Sequence, residues 1–203
     1  MINTLIFDFG DVFINLDKKG ALNNALDLFN LKTFDANMLN INMQYEVGEI
    51  TTVDFLNYYC TRFPELDKKI IVKAWNYIIK DFPDDRLNFI KDLAKKGTYQ
   101  LILLSNTNEL HIDHIKQNVG FYNDFKNCFD AFYLSHEINL RKPDKAIFKF
   151  VIDKHRLNPK DCLFIDDTKE NTDTAIKLGL NTWNINEEQE DVIHLFTTKK
   201  ELF

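Results

Sequence analysis

The stretch TLIFDFGDVFINLD, residues 4–17, decides how the rest of the chain is organised. It starts with a short apolar run of the kind found in strands that are buried on both faces of a parallel sheet. The run then meets a carboxylate at Asp8, a glycine at Gly10 and a second acid at Asp11. We predict a buried strand over residues 4–9 that carries Asp8 at its carboxyl end, the edge at which open α/β sheets bind ligands.

Four further apolar runs have the same character, and longer segments with helical periodicity separate them. They predict strands at residues 99–106, 131–135, 162–166 and 181–185. The ends of several helices can be read between them, because Gly97 and Gly179 suit helix ends and Pro143 suits a first helical position. Strands that alternate with helices are typical of an α/β fold with a parallel sheet.

The segment between residues 15 and 82 breaks this alternation. It shows no strand pattern and holds amphipathic helical segments, among them residues 21–30, 52–63 and 67–80. We therefore predict an α/β core domain formed by residues 1–14 and 83–203, and a helical cap domain formed by residues 15–82. A cap inserted directly after the first strand would cover the carboxyl edge of the sheet and could exclude water from it.

The composition of the 203 residues limits the classes of function. Hydrophobic residues make up 45% of the chain, and the net charge of -6 argues against a nucleic-acid partner. No apolar run approaches the roughly 20 residues needed to span a bilayer. Cys60, Cys128 and Cys162 form no CxxC pair and indicate free thiols in a reducing compartment. These features predict a cytoplasmic protein without a nucleic-acid or membrane partner, and they leave its oligomeric state open.

Polar side chains follow four of the predicted strands. In chain order they are Asp8, the pair Ser105 and Asn106, Lys142, and the pair Asp166 and Asp167. The carboxyl ends of parallel strands meet at the same edge of a sheet, so we expect these side chains to converge there.

Each of these groups suits one part of a phosphoryl transfer. A carboxylate can attack phosphorus and divide one difficult displacement into two easier ones. A hydroxyl and main-chain amides can hold phosphate oxygens, and a lysine can neutralise the charge that develops on them. Adjacent carboxylates repel one another unless a cation joins them, and Mg²⁺ prefers such oxygen ligands.

The ordered motifs FDFGDV, LLSNTN, RKPD and FIDDTKEN resemble those of the haloacid dehalogenase (HAD) superfamily of aspartate-nucleophile phosphatases. The resemblance covers essentially the full chain, and the helical segment falls where that superfamily inserts its first type of cap (C1) into a Rossmann-like core. Within the superfamily, the motifs are most similar to those of sugar-phosphate phosphatases that act on glucose 1-phosphate. The resemblance implies a Mg²⁺-dependent hydrolase whose substrate is a small phosphorylated metabolite, such as a sugar phosphate.

The resemblance also implies a role for each strand-end residue. It assigns the nucleophile and a metal ligand to Asp8, a metal-binding main-chain carbonyl to Gly10, a direct metal ligand to Asp167 and a water-mediated or indirect partner to Asp166. It assigns the phosphate cradle to Ser105 and the amide of Asn106, and the cationic clamp to Lys142. Asn171 stands where many relatives have another acid, which argues against a further ligand from that helix.

Gly10 departs from the pattern of most phosphatases in the superfamily, which carry a general acid at that position. Three interpretations stay open. Another group, such as Asp11, a cap residue or water, supplies the proton; or the leaving group needs none, as in a metal-independent 2-haloacid dehalogenase; or the protein is a catalytically weak binding or regulatory protein. General acid–base help is worth about 10² to 10⁴-fold, so its loss slows an enzyme without abolishing turnover. The acidic pair Asp166 and Asp167 favours a metal site and therefore a phosphatase.

Other polar and aromatic residues carry weaker signals. Candidate substrate contacts in the cap are Tyr45, Glu46, Glu49, Trp75 and Tyr77, although aromatic residues at helical spacing are usually core. His111 and His114 lie one turn apart on a predicted helix, but with no third ligand they are expected to be packing or surface residues.

Overall fold

The structure is a computed structural model that describes all of residues 1–203. The strands are β1 (Thr4–Phe7), β2 (Gln100–Ser105), β3 (Ala131–Leu134), β4 (Cys162–Asp166) and β5 (Asn181–Asn184). The helices before β2 are α1 (Lys18–Leu28), α2 (Ala36–Glu46), α3 (Thr52–Arg62), α4 (Lys68–Asn76) and α5 (Asp84–Lys96). Those after β2 are α6 (Glu109–Asn118), α7 (Tyr122–Lys126), α8 (Ser135–Ile138), α9 (Lys145–His155), α10 (Lys169–Lys177) and α11 (Leu195–Thr198). None of these helices is long and apolar enough to cross a membrane.

The five strands form one parallel sheet in the order β3-β2-β1-β4-β5. Strand β1 is central, and its Leu5 lies beside Leu101 of β2 and Leu163 of β4. All carboxyl ends therefore lie along one edge, with the end of β1 in the middle. This topology confirms the predicted α/β class with a parallel sheet.

The sheet is buried on both faces, which is why its strands read as continuous apolar runs. Successive side chains of a strand point to opposite faces. In β1, Leu5 and Phe7 belong to one hydrophobic cluster, which also contains Trp183, and Ile6 belongs to the other, which also contains Phe148. Helices cover both faces, so polar groups at the strand ends are held by a rigid core.

Two predicted boundaries differ from the observed ones. Strand β1 ends at Phe7 rather than at residue 9, although the amide of Asp8 still donates to the carbonyl of Ile165 at 2.9 Å. The prediction that Pro143 occupies a first helical position is wrong. Helix α9 begins at Lys145, because the side chain of Asp144 caps it by accepting from the amide of Ala146.

Helices α1 to α4 bury their apolar residues largely against one another. Their cluster includes Phe29, Met38, Phe55 and Tyr59 and is separate from the two clusters of the sheet. The chain enters and leaves this helical unit side by side, since the amide of Asn15 donates to Asp81 and that of Lys80 donates back to Asn15. We retain a core of residues 1–14 and 83–203 with a cap of residues 15–82 as a proposal that these features support.

Candidate active site

Lys142 lies at the centre of the carboxyl edge and joins two carboxylates. Its Nζ lies 2.8 Å from Oδ1 of Asp8 and 2.6 Å from Oδ2 of Asp166, and its side chain has no exposed surface. A buried ammonium group is tolerated only when it is paired and hydrogen-bonded, which these two acids accomplish. The sheet therefore holds three ionisable groups at fixed distances.

Burial and neighbouring charges shift the pKa values of this cluster in definable directions. Burial raises the pKa of Asp8 above its ordinary value; Lys142 opposes the rise, and Asp166 and Asp167 add to it. Burial alone would lower the pKa of Lys142, but Asp166 and Asp8 outweigh that effect and raise it. Lys142 therefore stays charged, and Asp8 lies beside it as a carboxylate that a further cation would keep ionised.

Asp166 is fully engaged by the protein. Its Oδ2 accepts from Lys142, its Oδ1 accepts from the amide of Thr168 at 2.8 Å, and both oxygens lie 3.0 Å from Nδ2 of Asn171. Asn171 thus braces Asp166. The structure places Asp166 where it holds Lys142 in position rather than where it opens toward solvent.

Three oxygens around Asp8 remain without a donor from the protein. They are Oδ2 of Asp8, Oδ1 of Asp167 and the carbonyl oxygen of Gly10. Carboxylate oxygens of Asp8, Asp166 and Asp167 lie within 4.8 Å of one another. Hard oxygen donors in this arrangement, with acids outnumbering lysines, fit a small divalent cation such as Mg²⁺.

Ser105 and Asn106 follow β2 at the same edge. The side chain of Asn106 donates to the carbonyl of Lys142 at 2.8 Å and accepts from its amide at 2.9 Å, which fixes the loop that carries Lys142. The buried Ser105 makes one long contact, of 3.4 Å, from its Oγ to the carbonyl of Asn106. Its hydroxyl and the main-chain amide of Asn106 therefore stay available as donors.

Asp11 is engaged by the turn that follows β1. It adopts a left-handed conformation with φ of 53°, its Oδ1 accepts from the amide of Leu16 at 2.8 Å, and its Oδ2 pairs with Lys18 at 2.8 Å. Both carboxylate oxygens are thus engaged in stabilising the turn after β1. Asp11 does not line either of the cavities at the sheet edge, so it is not placed to protonate a leaving group.

Two adjoining cavities open at this edge. The smaller, about 330 Å³, is polar and is lined by Asp8, Lys142 and Asp167 among others. The larger, about 510 Å³, lies between the cap and the core and is half apolar. Both are bordered by Gly10, Leu16, Asn106 and Arg141. Their volumes are those of small-molecule sites, and their contiguity lets one ligand place a charged end beside Asp8 and a less polar end under the cap.

The five cap candidates divide by position. Glu46 and Trp75 line the larger cavity, whereas Tyr45, Glu49 and Tyr77 do not. The hydroxyl of Tyr45 instead accepts from the amide of Leu110 at 3.1 Å and joins the cap to α6. Tyr45 therefore serves packing, as most aromatic residues at helical spacing do.

His111 also lines the larger cavity. Its ring is neutral, and both ring nitrogens have hydrogen-bond partners within the protein. Its Nε2 lies 3.1 Å from the carbonyl of Trp75 and its Nδ1 lies 3.1 Å from Nδ2 of Asn108. Burial lowers the pKa of His111 to about 4. His114 hydrogen-bonds Asn118 on the same helix, and the two histidines share no metal-binding cluster with an acid.

Three residues at the site were not predicted from the sequence. Lys18 of α1 reaches Asp167 and Asp11, Arg141 borders both cavities, and Asn42 of α2 lines the larger one. Arg141 belongs to the motif RKPD, which was the available signal for it. Lys18 and Asn42 have no local signal, because their positions depend on how the cap lies over the sheet.

Comparisons with known proteins match this fold and place the chain in a family. The profile of the haloacid dehalogenase-like hydrolases matches residues 2–179. The D-ribitol-5-phosphate phosphatase of Bacteroides thetaiotaomicron is 29% identical over 196 residues, which cover 90% of this chain and 91% of that protein.

Solved structures of a HAD family enzyme from the same bacterium are similar over nearly the whole chain. One has a TM-score of 0.85 at 33% identity and covers 96% of this chain and 98% of that one. Another, a complex with magnesium and inorganic phosphate, has a TM-score of 0.83 at 32% identity and covers 97% of this chain and 100% of that one.

The protein is therefore a hydrolase built on an α/β fold with a parallel sheet. It belongs to the haloacid dehalogenase-like hydrolase family, as the resemblance of its four motifs implied.

Proposed function

We propose that the protein is a Mg²⁺-dependent phosphatase that hydrolyses a small phosphomonoester, a sugar or sugar-alcohol phosphate, through an aspartyl-phosphate on Asp8. The observation that carries the proposal is the edge at which Asp8, Lys142 and Asp167 meet in a small polar cavity. The similarity to a D-ribitol-5-phosphate phosphatase supports the choice of substrate class.

In the first step, a carboxylate oxygen of Asp8 forms a bond to phosphorus while the bond from phosphorus to the ester oxygen breaks. In the second step, water attacks the phosphorus of the aspartyl-phosphate, and phosphate and the Asp8 carboxylate are released. Lys142 is fixed beside Asp8 and neutralises charge on the phosphoryl oxygens. The hydroxyl of Ser105 and the amide of Asn106 donate to the same oxygens.

Asp8, the carbonyl of Gly10 and Asp167 would hold the metal, since each offers an oxygen without a protein donor. Mg²⁺ bound at this place would neutralise phosphate charge and relieve the repulsion among the acids. Asp166 acts through Lys142 and Thr168, whose positions it fixes.

Gly10 has no side chain to protonate the leaving oxygen, and Asp11 is engaged elsewhere. In this proposal the leaving oxygen takes its proton from water in the larger cavity. The anomeric oxygen of a sugar 1-phosphate is a better leaving group than a simple alkoxide, so such an ester depends less on that proton. Three free cysteines support the proposed cytoplasmic location.

A panel of sugar and sugar-alcohol phosphates, assayed for phosphate release with Mg²⁺ and with EDTA, tests the proposal. We expect hydrolysis that EDTA abolishes, and loss of turnover in Asp8→Asn, which should remain folded as judged by circular dichroism. Asp92→Asn, an exposed acid of α5, is the matched control and should retain activity.

Two other results would replace the proposal. Release of halide from 2-haloacids that persists in EDTA would identify a metal-independent dehalogenase. Magnesium binding without hydrolysis of any ester in the panel would identify a binding or regulatory protein on the same fold.

A further inference from the structure

We propose that the ion pair between Glu46 and Arg141, together with Asn42, selects a neutral polyhydroxylated leaving group over an anionic one. The inference rests on the proposed phosphatase function and deepens it, because it names the residues that distinguish between classes of ester. It is carried by the position of the pair, its rigid attachment and the polar atoms that it leaves free.

The pair stands at the junction of the two cavities. Oε1 of Glu46, from the cap, lies 2.6 Å from Nε of Arg141, which precedes Lys142 on the core. Arg141 borders both the polar cavity of Asp8 and the larger cavity, and Glu46 borders the larger one. A phosphate beside Asp8 therefore directs the rest of its ester past this pair.

One face of helix α2 forms the cap side of the larger cavity. It presents Leu39, Asn42, Met43 and Glu46, at the spacing i, i+3, i+4 and i+7 of a single helical stripe. Leu39 and Met43 supply apolar contact, and Asn42 and Glu46 supply polar groups. The stripe thus offers the mixed surface that carbohydrate-like ligands, with carbon backbones and hydroxyls, can contact.

The end of α2 that carries Glu46 is fixed to the core. The carbonyl of Glu46 accepts from Oγ of Ser135 at 2.6 Å, and that of Val47 accepts from Nδ2 of Asn139 at 2.8 Å. Gly48 follows with φ of +70°, and a Cβ there would lie 2.2 Å from the carbonyl oxygen of His136. Glu46 is therefore held in place before a ligand arrives, which reduces the entropic cost of recognition.

The ion pair leaves both donors and acceptors unused. No protein group engages Oε2 of Glu46, the terminal nitrogens of Arg141 or Nδ2 of Asn42, whose Oδ1 accepts from Tyr59. The side chains of Glu46 and Arg141 are 29% and 35% exposed, so a ligand can reach them. Hydroxyl groups both donate and accept, and a neutral polyol can satisfy this set without breaking the pair.

An anionic leaving group meets a different situation. A carboxylate or second phosphate would compete with Glu46 for Arg141 and would bring two negative charges together. Repulsion of the wrong partner is a common source of specificity. Replacing Glu46 with Gln keeps the shape and the hydrogen-bonding capacity but removes this repulsion.

The test compares esters that differ in a terminal carboxylate: erythritol 4-phosphate with 4-phosphoerythronate, and glycerol 3-phosphate with 3-phosphoglycerate. We expect the wild-type protein to prefer the neutral member of each pair in kcat/KM. In Glu46→Gln that preference should fall roughly ten-fold, mainly through a lower KM for the acids. Glu49→Gln, which makes the same charge change at an exposed residue outside both cavities, should leave the preference unchanged.

The outcomes separate this inference from the function on which it rests. Hydrolysis of no phosphate ester by the wild-type protein would refute the proposed function. Hydrolysis with no preference for the neutral members, or an equal change in Glu46→Gln and Glu49→Gln, would refute the role of the pair and leave the phosphatase intact. The wild-type preference needs no variant, so the test does not depend on how the variants fold.

Discussion

The ammonium nitrogen of Lys18, at the start of α1, lies 2.5 Å from Oδ2 of Asp167, directly after β4. It also lies 2.8 Å from Oδ2 of Asp11. The first residue of the cap helices is thereby joined to two acids of the sheet edge. Asp167 is also a proposed metal ligand, so the same carboxylate serves the cap contact and the metal.

This sharing predicts that Lys18→Met binds Mg²⁺ more tightly. A unit positive charge near a divalent cation costs about 2 kcal/mol even at aqueous screening over about 4 Å, which corresponds to more than ten-fold in affinity. We expect the dissociation constant for MgCl2, measured by calorimetry on the metal-free protein, to fall roughly ten-fold. Lys19→Met makes the same charge change at an exposed neighbour and should have little effect. Equal shifts in both variants would show that only net charge matters.

Lys142→Met should lower stability as well as abolish turnover. The substitution leaves Asp8 and Asp166 buried without their cation, and breaking a buried pair in this way costs about 3–5 kcal/mol. We expect that loss in the free energy of unfolding, measured with urea at neutral pH. Lys145→Met, an exposed lysine on α9, is the control and should change stability by less than about 0.5 kcal/mol.

The pH dependence of the Lys142→Met variant provides a second measurement. Burial already raises the pKa of Asp8 in the folded protein, and without Lys142 nothing opposes that rise, so the folded state of the variant binds a proton at Asp8 more readily than the unfolded state does. Stability relative to wild type should therefore recover as pH falls toward 5. A deficit that stays constant from pH 8 to pH 5 would argue that lost packing, and not unpaired charge, causes the destabilisation.

The sheet and the polar strand ends could be predicted because their signals are local. Each buried strand reads as an apolar run, and Asp8, Ser105 and Asp166 interrupt or end such runs. Parallel topology then brings these residues to one edge without further information. The family resemblance added the distinction between Asp166 and Asp167, which no local pattern provides.

The cap side of the site could not be predicted in this way. Helix α2 lies inside the predicted helical cap, but its own bounds could not be read from the sequence, because asparagines interrupt its apolar face and ANMLNINMQYE shows little contrast between faces. The contacts of Lys18 with Asp167 and of Glu46 with Arg141 join residues 149 and 95 positions apart. Such contacts depend on how the cap packs on the core, which hydrophobic periodicity does not specify.

The burial of His111 should make the stability of the wild-type protein depend on pH. Burial lowers the pKa of His111 to about 4, below the ordinary value of about 6.5, so the unfolded state binds the extra proton between these values. The stabilisation that the neutral ring of His111 provides is fully present above pH 6.5 and is lost as pH falls toward 4. This loss lowers the free energy of unfolding by about 1–3 kcal/mol. His111→Gln should flatten this part of the profile measured by urea unfolding, and His114→Gln should not. An unchanged slope in His111→Gln would show that the ring is charged in the folded protein.

Alanine substitution at Gly48, with Gly97 as the comparison, tests how firmly the end of α2 is held against the core. Both have positive φ, of 70° and 62°, so alanine at either position pays the left-handed penalty of about 1–2 kcal/mol. At Gly97 an added Cβ meets nothing within 4 Å, whereas at Gly48 it would lie 2.2 Å from the main-chain oxygen of His136.

Gly97→Ala should therefore show the backbone cost alone. Gly48→Ala should be less stable than Gly97→Ala by a further ~1–3 kcal/mol in urea unfolding, which is the typical cost of overpacking. Because Gly48 follows Glu46 by two residues, its displacement should also raise KM for the preferred ester, while Gly97→Ala leaves KM unchanged. Equal losses of stability in the two variants, with equal KM values, would mean that α2 is not tightly fixed where it meets His136.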